Sequence, residues 1–443
     1  MRKLSGILIL CLISVFGLPV AHAQFKQEKV KTDSLVELLS KHNKFMGTIA
    51  LMENGKLIYS NAAGFADVEN KIKSTKKTTY RIGSVSKTFT SAMIFQLVEE
   101  NKISLDEKLS AYFPQVVNSE KISIKDMLLH RSGLWSITDD SLYLQWCTQP
   151  KSREELLGMI NSHPVLFLPG EKSEYSNSNF LLLGYIIEDI TKKSYAINLQ
   201  ERIVNKAGLT STYYGKPADI QNNESYSYLY TAEGWTKDIE TDMSVPGGAG
   251  AIVSTSEDLV KFAHALFSGQ LISKKSLDEM LTAEGTYAKG IFPMPFYELK
   301  GFGHTGGIDG FRSVLIYYPE KELALSVTSN GLNYNQNELL IGLLSIQFGK
   351  EYKLPDFSTA KVDVKKLKTY EGTYSSESFP LKLTVKVEGD ILTAQATGQS
   401  AFPLEAVSET EFRFDAAGIK ISFPEDGKLN IKQGGLDLLM SRE

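Results

Sequence analysis

The stretch RIGSVSKTFTSAMIFQLVEE, residues 81–100, constrains the fold more than any other part of the chain. Its apolar residues Met93, Ile94, Leu97 and Val98 recur at helical spacing, which predicts a helix with a buried face. Ser84 and Lys87 stand three apart at the start of that helix, so their side chains share a face and reach each other. Ser86 falls on a different side. A hydroxyl at a helix start is also the ordinary way to cap it. The pair therefore has two readings, a cap beside an exposed charge or a nucleophile held against an amine.

Around this helix the pattern is mixed. DSLVELLSKHN fits an early helix, and FMGTIALMENGKLIYSNAAG reads as two strands joined at Asn54-Gly55, a strong hairpin signal. KISIKDMLLHRSGL and AINLQERIVNKAGL read as short helices stopped by Gly133 and Gly208. YSNSNFLLLGYIIEDI, residues 175–190, puts a polar loop directly ahead of an apolar helix. STSEDLVKFAHALFSG reads as a helix with Ser254 or Ser256 as its N-cap. GFGHTGGIDGFRSVLIYYPEKELALSVTSN gives two extended segments around a turn at 319–321, and the helix NQNELLIGLLSIQF follows. Strands at both ends of this region with helices between them predict one α/β unit. After residue 353 the composition changes: six or seven short runs of alternating polarity between 366 and 441 predict a small all-β barrel or sandwich.

Arg2 and Lys3 precede an apolar run ending at Val20, and AHA at 21–23 supplies the small residues of a processing site. A leader cleaved near Ala23/Gln24, and hence a secreted or periplasmic protein, is expected. No later segment reaches the roughly 18 apolar residues of a span, so no stable membrane span is expected. Removing Arg2 and Lys3 takes the formal charge from −4 to −6. A mildly acidic chain without a basic run has no electrostatic footprint for nucleic acid or anionic lipid. The mature chain keeps one cysteine, Cys147, so it forms no intrachain disulfide and Cys147 reads as inert.

Two further segments favour the nucleophile reading of Ser84: Tyr175-Ser176-Asn177, and His304-Thr305-Gly306 ahead of an apolar strand. A serine hydroxyl is a poor nucleophile near neutral pH and needs a base within hydrogen-bond reach. Lys87 serves if burial keeps its amine neutral, and Tyr175 serves if a neighbouring ammonium favours its phenolate. Coupled groups share their protons, so the sequence leaves the formal base open between the two.

The order of serine-lysine helix, tyrosine loop and His-Thr-Gly strand resembles the serine penicillin-recognising enzymes. The branch in question contains class C β-lactamases, D-alanyl-D-alanine carboxypeptidases, D-aminopeptidases and related esterases. IGSVSKTFT, LLHRSGL at 128–134, FLPGEKSEYSNSNFLLLG at 167–184 and GGAGAIVSTSEDLVKF at 247–262 carry the likeness, which covers about residues 35–350. It implies a β-lactamase/transpeptidase-like α/β fold, an antiparallel sheet flanked by helices plus a helical region. The expected organisation is a leader over 1–23, a serine hydrolase unit over 24–353, a linker over 354–365 and a β-rich, lipocalin-like accessory domain over 366–443.

By the same resemblance Ser84 is the acylated nucleophile, Lys87 its activating partner and Tyr175 the general base and acid. Asn177 would bond Lys87 and the acyl-side amide of the substrate. His304 would line the pocket and orient Tyr175 or a substrate carboxylate, to which Thr305 would donate. The backbone N–H groups of Ser84 and Gly307 would form the oxyanion hole. His304 stands where most β-lactamases carry lysine and holds less positive charge near neutral pH. Arg312 could supply the missing cation. His130 and Arg131 belong to a motif that supports the site's rim.

These features imply a peptidase on D-amino-acid-containing or cell-wall-type peptides. The alternatives are an esterase of small acyl esters, a β-lactamase, and a non-catalytic penicillin- or peptide-binding protein. The substrate would be a small molecule or peptide, including peptidoglycan-derived ones, and no cofactor is implied. The scattered histidines give no metal motif, and the glycines at 247–250 lack the Lys-Ser/Thr ending of a phosphate loop.

Overall fold

A computed structural model describes residues 17–443 apart from residue 232, with side chains from residue 27 onward. Arg2, Lys3 and most of the expected leader lie outside the described residues. Helix α1, Gly17–Lys41, leads into the hairpin of β1, Phe45–Glu53, and β2, Lys56–Ala63. Asn54 (φ 50°) and Gly55 (φ 71°) form the tight turn between them, a conformation that Asn-Gly accepts readily. Next come α2, Ser86–Glu99; α3, Asn177–Thr191; and α4, Ser256–Phe267. The chain then returns as β3, Phe292–Pro293; β4, Phe302–Ile308; β5, Phe311–Tyr318; and β6, Leu323–Leu332, followed by α5, Gln336–Gln347.

The six strands form one antiparallel sheet in the order β3-β4-β5-β6-β1-β2, so the N-terminal hairpin completes a sheet begun near residue 292. Side chains on successive strand positions go to opposite faces. Ala50, Met52, Leu315 and Tyr317 accordingly join the core with α2, α3 and α4. Ile49, Leu51, Val314 and Ile316 join a second core with α1 and α5. Helix α2 is buried from Ser86 to Leu97, all round rather than on one face, and Phe89 stacks on Phe262 of α4 at 3.6 Å. It is the central helix of its layer.

Eight strands between Gly372 and Arg442 close in sequential order into a barrel, sealed where Tyr374 pairs with Arg442. The barrel has its own core, including Tyr374, Val385, Phe412 and Leu429. It joins the α/β unit through an ion network around the buried Lys44. Lys44, at the start of β1, meets Glu405 at 2.6 Å and Asp415 at 2.9 Å, and Arg413 reaches both acids.

Several local expectations change. The cap of α4 is Thr255, which accepts from the Asp258 N–H at 3.1 Å. Ser254 belongs to a strand, and the Ser256 hydroxyl is taken by Thr48 and Thr328. The helix expected to run to Gly133 stops at Leu128, because His130 (φ 56°) turns the chain early. The segment 302–332 holds three strands, Asp309 (φ 49°) and Gly310 making the extra turn. Phe402–Ala406 is a barrel strand that its short, proline-containing sequence concealed. Among the described residues no helix is long and apolar enough to cross a membrane.

Candidate active site

Ser84 lies in a tight turn, Gly83–Val85, that feeds α2. From Thr78 to Leu97 every residue is buried except Ser84, which is half-exposed. Ser86 has no exposure, and its hydroxyl accepts the Ile252 N–H at 3.2 Å. The two serines of the motif are thus separated by environment. The turn is possible because Gly83 adopts φ 49°; a Cβ there would sit 2.8 Å from the Gly307 carbonyl oxygen and 2.9 Å from its amide nitrogen. This close approach brings the backbone of β4 beside Ser84.

Lys87 is fully buried one turn further on. Its Nζ lies 2.9 Å from Ser84 Oγ, 2.7 Å from Asn177 Oδ1 and 2.8 Å from the Ala249 carbonyl oxygen. The rings of Tyr175 and Phe180 cover it at 4.9 and 5.8 Å, and no carboxylate pairs with it among the described residues. Burial pushes the Lys87 amine well below the usual lysine range. A neutral amine has two N–H bonds and one lone pair. Asn177 and Ala249 accept the two bonds, which aims the lone pair at the Ser84 hydroxyl.

Asn177 opens α3, so the polar loop and the apolar helix behind it place its amide. Its Nδ2 donates to Thr138 Oγ1 at 2.8 Å while Oδ1 faces Lys87, which fixes its orientation. Ala249 belongs to the glycine cluster at 247–250. Gly248 lets that loop pack against α3, since a Cβ there would meet the Phe180 carbonyl oxygen at 2.6 Å. The cluster signalled a close backbone approach, and its carbonyl was the functional group the sequence reading missed.

Burial raises the Tyr175 phenol above its ordinary range, and contact with the Ser84 hydroxyl only partly offsets this. Its ring stacks on His130 at 4.4 Å. His130 Nδ1 accepts the Ser176 N–H at 3.1 Å, which ties the imidazole to the tyrosine loop. Burial holds His130 well below the usual histidine range. His130 therefore positions Tyr175 more directly than a rim residue does. Arg131 holds the Gly170 carbonyl and stays structural.

His304 is 2% exposed and lies outside the residues that line the cleft. It packs on Phe292 at 4.1 Å and stands 6.4 Å from the Tyr175 ring. Its Nδ1–H is given to the Thr305 carbonyl, and Nε2 has no partner among the described residues. Burial pushes it down to about 3. It brings no positive charge to the site. Thr305, half-buried on β4, is likewise not among the lining residues.

A cleft of about 590 Å³ opens over Ser84, Asn177 and Gly307. Ile137, Tyr143, Leu144, Leu229, Ile239 and Val245 give it an apolar wall, and Asp238, Asp309 and Arg312 are its charged residues. No residue of the barrel lines it. Trp146 lies outside, bonded to Asp140 at 2.9 Å, and Cys147 is buried with its thiol pushed up by that burial. Among the described residues no three histidine, cysteine or carboxylate side chains converge as a metal site.

The family model described as Beta-lactamase matches residues 33–344, from α1 through α5. The chain belongs to the β-lactamase family. It is a serine hydrolase by that membership. The teichoic acid D-alanine hydrolase of Staphylococcus aureus is 28% identical over 323 residues, which cover 70% of this chain and 78% of that protein. The D-amino acid amidase of Ochrobactrum anthropi SV3 superposes with a TM-score of 0.64 at 25% identity, covering 72% of this chain and 99% of the amidase. A penicillin-binding protein homologue from Pyrococcus abyssi reaches a TM-score of 0.65 at 24% identity. That last likeness covers 93% of this β-lactamase-family chain, so the shared fold extends beyond the matched hydrolase region into the barrel.

Proposed function

We propose that this protein hydrolyses an acyl bond of a D-amino-acid-containing, cell-wall-related substrate through an acyl-enzyme on Ser84. The observation that carries the reading is the Lys87 amine, buried without a counter-charge among the described residues and 2.9 Å from Ser84 Oγ. Its two N–H bonds are occupied, so its lone pair takes the Ser84 proton as Oγ attacks the carbonyl. The backbone N–H groups of Ser84 and Gly307 support the oxyanion. Tyr175, kept as a phenol by burial, gives its proton to the departing group and recovers one from Lys87. Water then attacks the acyl-enzyme by the reverse route, freeing Ser84. This assignment makes Lys87 the base and Tyr175 the acid.

Support for the substrate class comes from two similar proteins, one named for D-alanine removal from teichoic acid and the other for D-amino acid amides. A leader cleaved near Ala23/Gln24 would deliver the enzyme to the compartment where such substrates occur. The test is a panel of D-aminoacyl amides and esters, D-alanyl-D-alanine peptides, a chromogenic cephalosporin and short acyl esters. D-aminoacyl compounds should be hydrolysed fastest, with a transient mass adduct on Ser84. Preference for the cephalosporin would reassign the protein as a β-lactamase, and a permanent adduct would make it a binding protein.

A further inference from the structure

The cleft holds three charged side chains in different states. Asp309 is committed to Arg81 at 3.2 Å and to the Thr241 hydroxyl at 2.6 Å. Arg312 spends Nη1 on the carbonyls of Asp309 and Phe311, at 2.9 and 2.7 Å, and joins no ion pair among the described residues. Its Nη1 lies 3.5 Å from where a Cβ on Gly307 would stand. Asp238, half-buried in the loop just after the strand Gly234–Lys237, gives its N–H to the Ser227 carbonyl but has no side-chain partner among the described residues. Burial lowers the Arg312 pKa and the nearby Asp238 charge only partly opposes this, so the two are neighbours without being paired. Beside Asp238 the wall is apolar, formed by Leu229, Ile239 and Leu144.

A carboxylate without a hydrogen-bonded side-chain partner attracts a cation, and the attraction is stronger beside an apolar wall than in bulk water. We propose that Asp238 selects the substrate by binding the free α-ammonium of its acyl part. The side chain of that residue lies on the Leu229–Ile239 wall. The substrate class is then an aminoacyl ester or amide with an unblocked amine, rather than an N-acylated peptide. This rests on the hydrolase reading above. Arg312 remains available to an anionic group on the departing side.

The experiment compares D-alanyl p-nitroanilide, its N-acetyl counterpart and p-nitrophenyl acetate on the wild type, Asp238→Asn, Asp238→Glu and Ser84→Ala. The wild type should prefer the free amine. Asp238→Asn should lose about tenfold to a hundredfold in kcat/KM on the free amine, mainly through KM, as expected for one hydrogen-bonded charge. Its rates on the other two compounds should stay within about twofold, and Asp238→Glu should recover part of the loss. Equal losses on all three compounds, no loss on the free amine, or a wild-type preference for the N-acetyl compound would each overturn the proposal. Turnover of p-nitrophenyl acetate that Ser84→Ala abolishes tests the hydrolase reading by itself, so the two failures are distinguishable.

Discussion

Lys87 is a lysine built into a place where lysine is ordinarily charged and costly, and its environment decides what it does. Ser84→Ala should abolish turnover and leave the melting temperature within a few degrees, because Ser84 is the half-exposed residue of a buried run. Lys87→Met should cost about 10²- to 10⁴-fold in kcat, the range expected for losing a general base. Its stability signature is separate. The folded amine has a lowered pKa, so between that value and the ordinary ~10.4 the unfolded chain binds a proton that the folded one lacks. Wild-type stability therefore gains from rising pH across that window, and Lys87→Met should flatten the gain in melting temperature on the alkaline side, as pH rises toward the ordinary lysine value. His304 acts in the same sense at lower pH. Its value of about 3 lies below the ordinary 6.5, so stability is lost as pH falls from 6.5 toward 3. His304→Asn should melt with a shallower acid limb, measured by calorimetry from pH 7 to 4. The motif residues were legible because spacing alone brings Ser84 and Lys87 together. The neutrality of His304 was not, since it comes from Phe292 and the rest of the buried surround.

At the scale of elements, the site depends on how closely two backbones approach. Gly83 and Gly307 meet because the turn before α2 runs with φ 49° against β4. Gly83→Ala should cost about 1–3 kcal/mol in strain and displace the oxyanion donors, lowering kcat more than it raises KM. Urea melts and steady-state kinetics check both; an unchanged kcat would remove Gly307 from the oxyanion role. Thr255→Ala, by contrast, should cost about 1 kcal/mol of stability and no activity, since it only uncaps α4. Periodicity located α2, α3 and α4, yet it did not show which residue capped α4 or that α2 was buried all round. Caps depend on where the preceding strand ends, and burial depends on partners far along the chain. The same reason hid the Ala249 carbonyl: a backbone group has no letter of its own, and only the glycines around it marked the approach.

At the scale of the whole molecule, alternating polarity after residue 366 was enough to predict an all-β accessory domain but left barrel and sandwich open. Closure depends on the pairing of Tyr374 with Arg442 at the two ends of the segment, a contact no local pattern announces. Docking is equally nonlocal. Lys44 is 2% exposed and sits among Glu405, Asp415 and Arg413, more than 350 residues ahead of its nearest acid partner. Removing Lys44 leaves the mostly buried Asp415 and the part-exposed Glu405 short of a cation. Lys44→Met should therefore cost about 1–2 kcal/mol, below the range for a fully buried pair, because Glu405 is part-exposed and Arg413 still reaches both acids. The loss should fall on the junction rather than on either core. Calorimetry should then resolve a separate barrel transition, while kcat on the preferred substrate stays within about twofold. A parallel fall in kcat would mean that the barrel shapes the cleft from a distance, even though no barrel residue lines it.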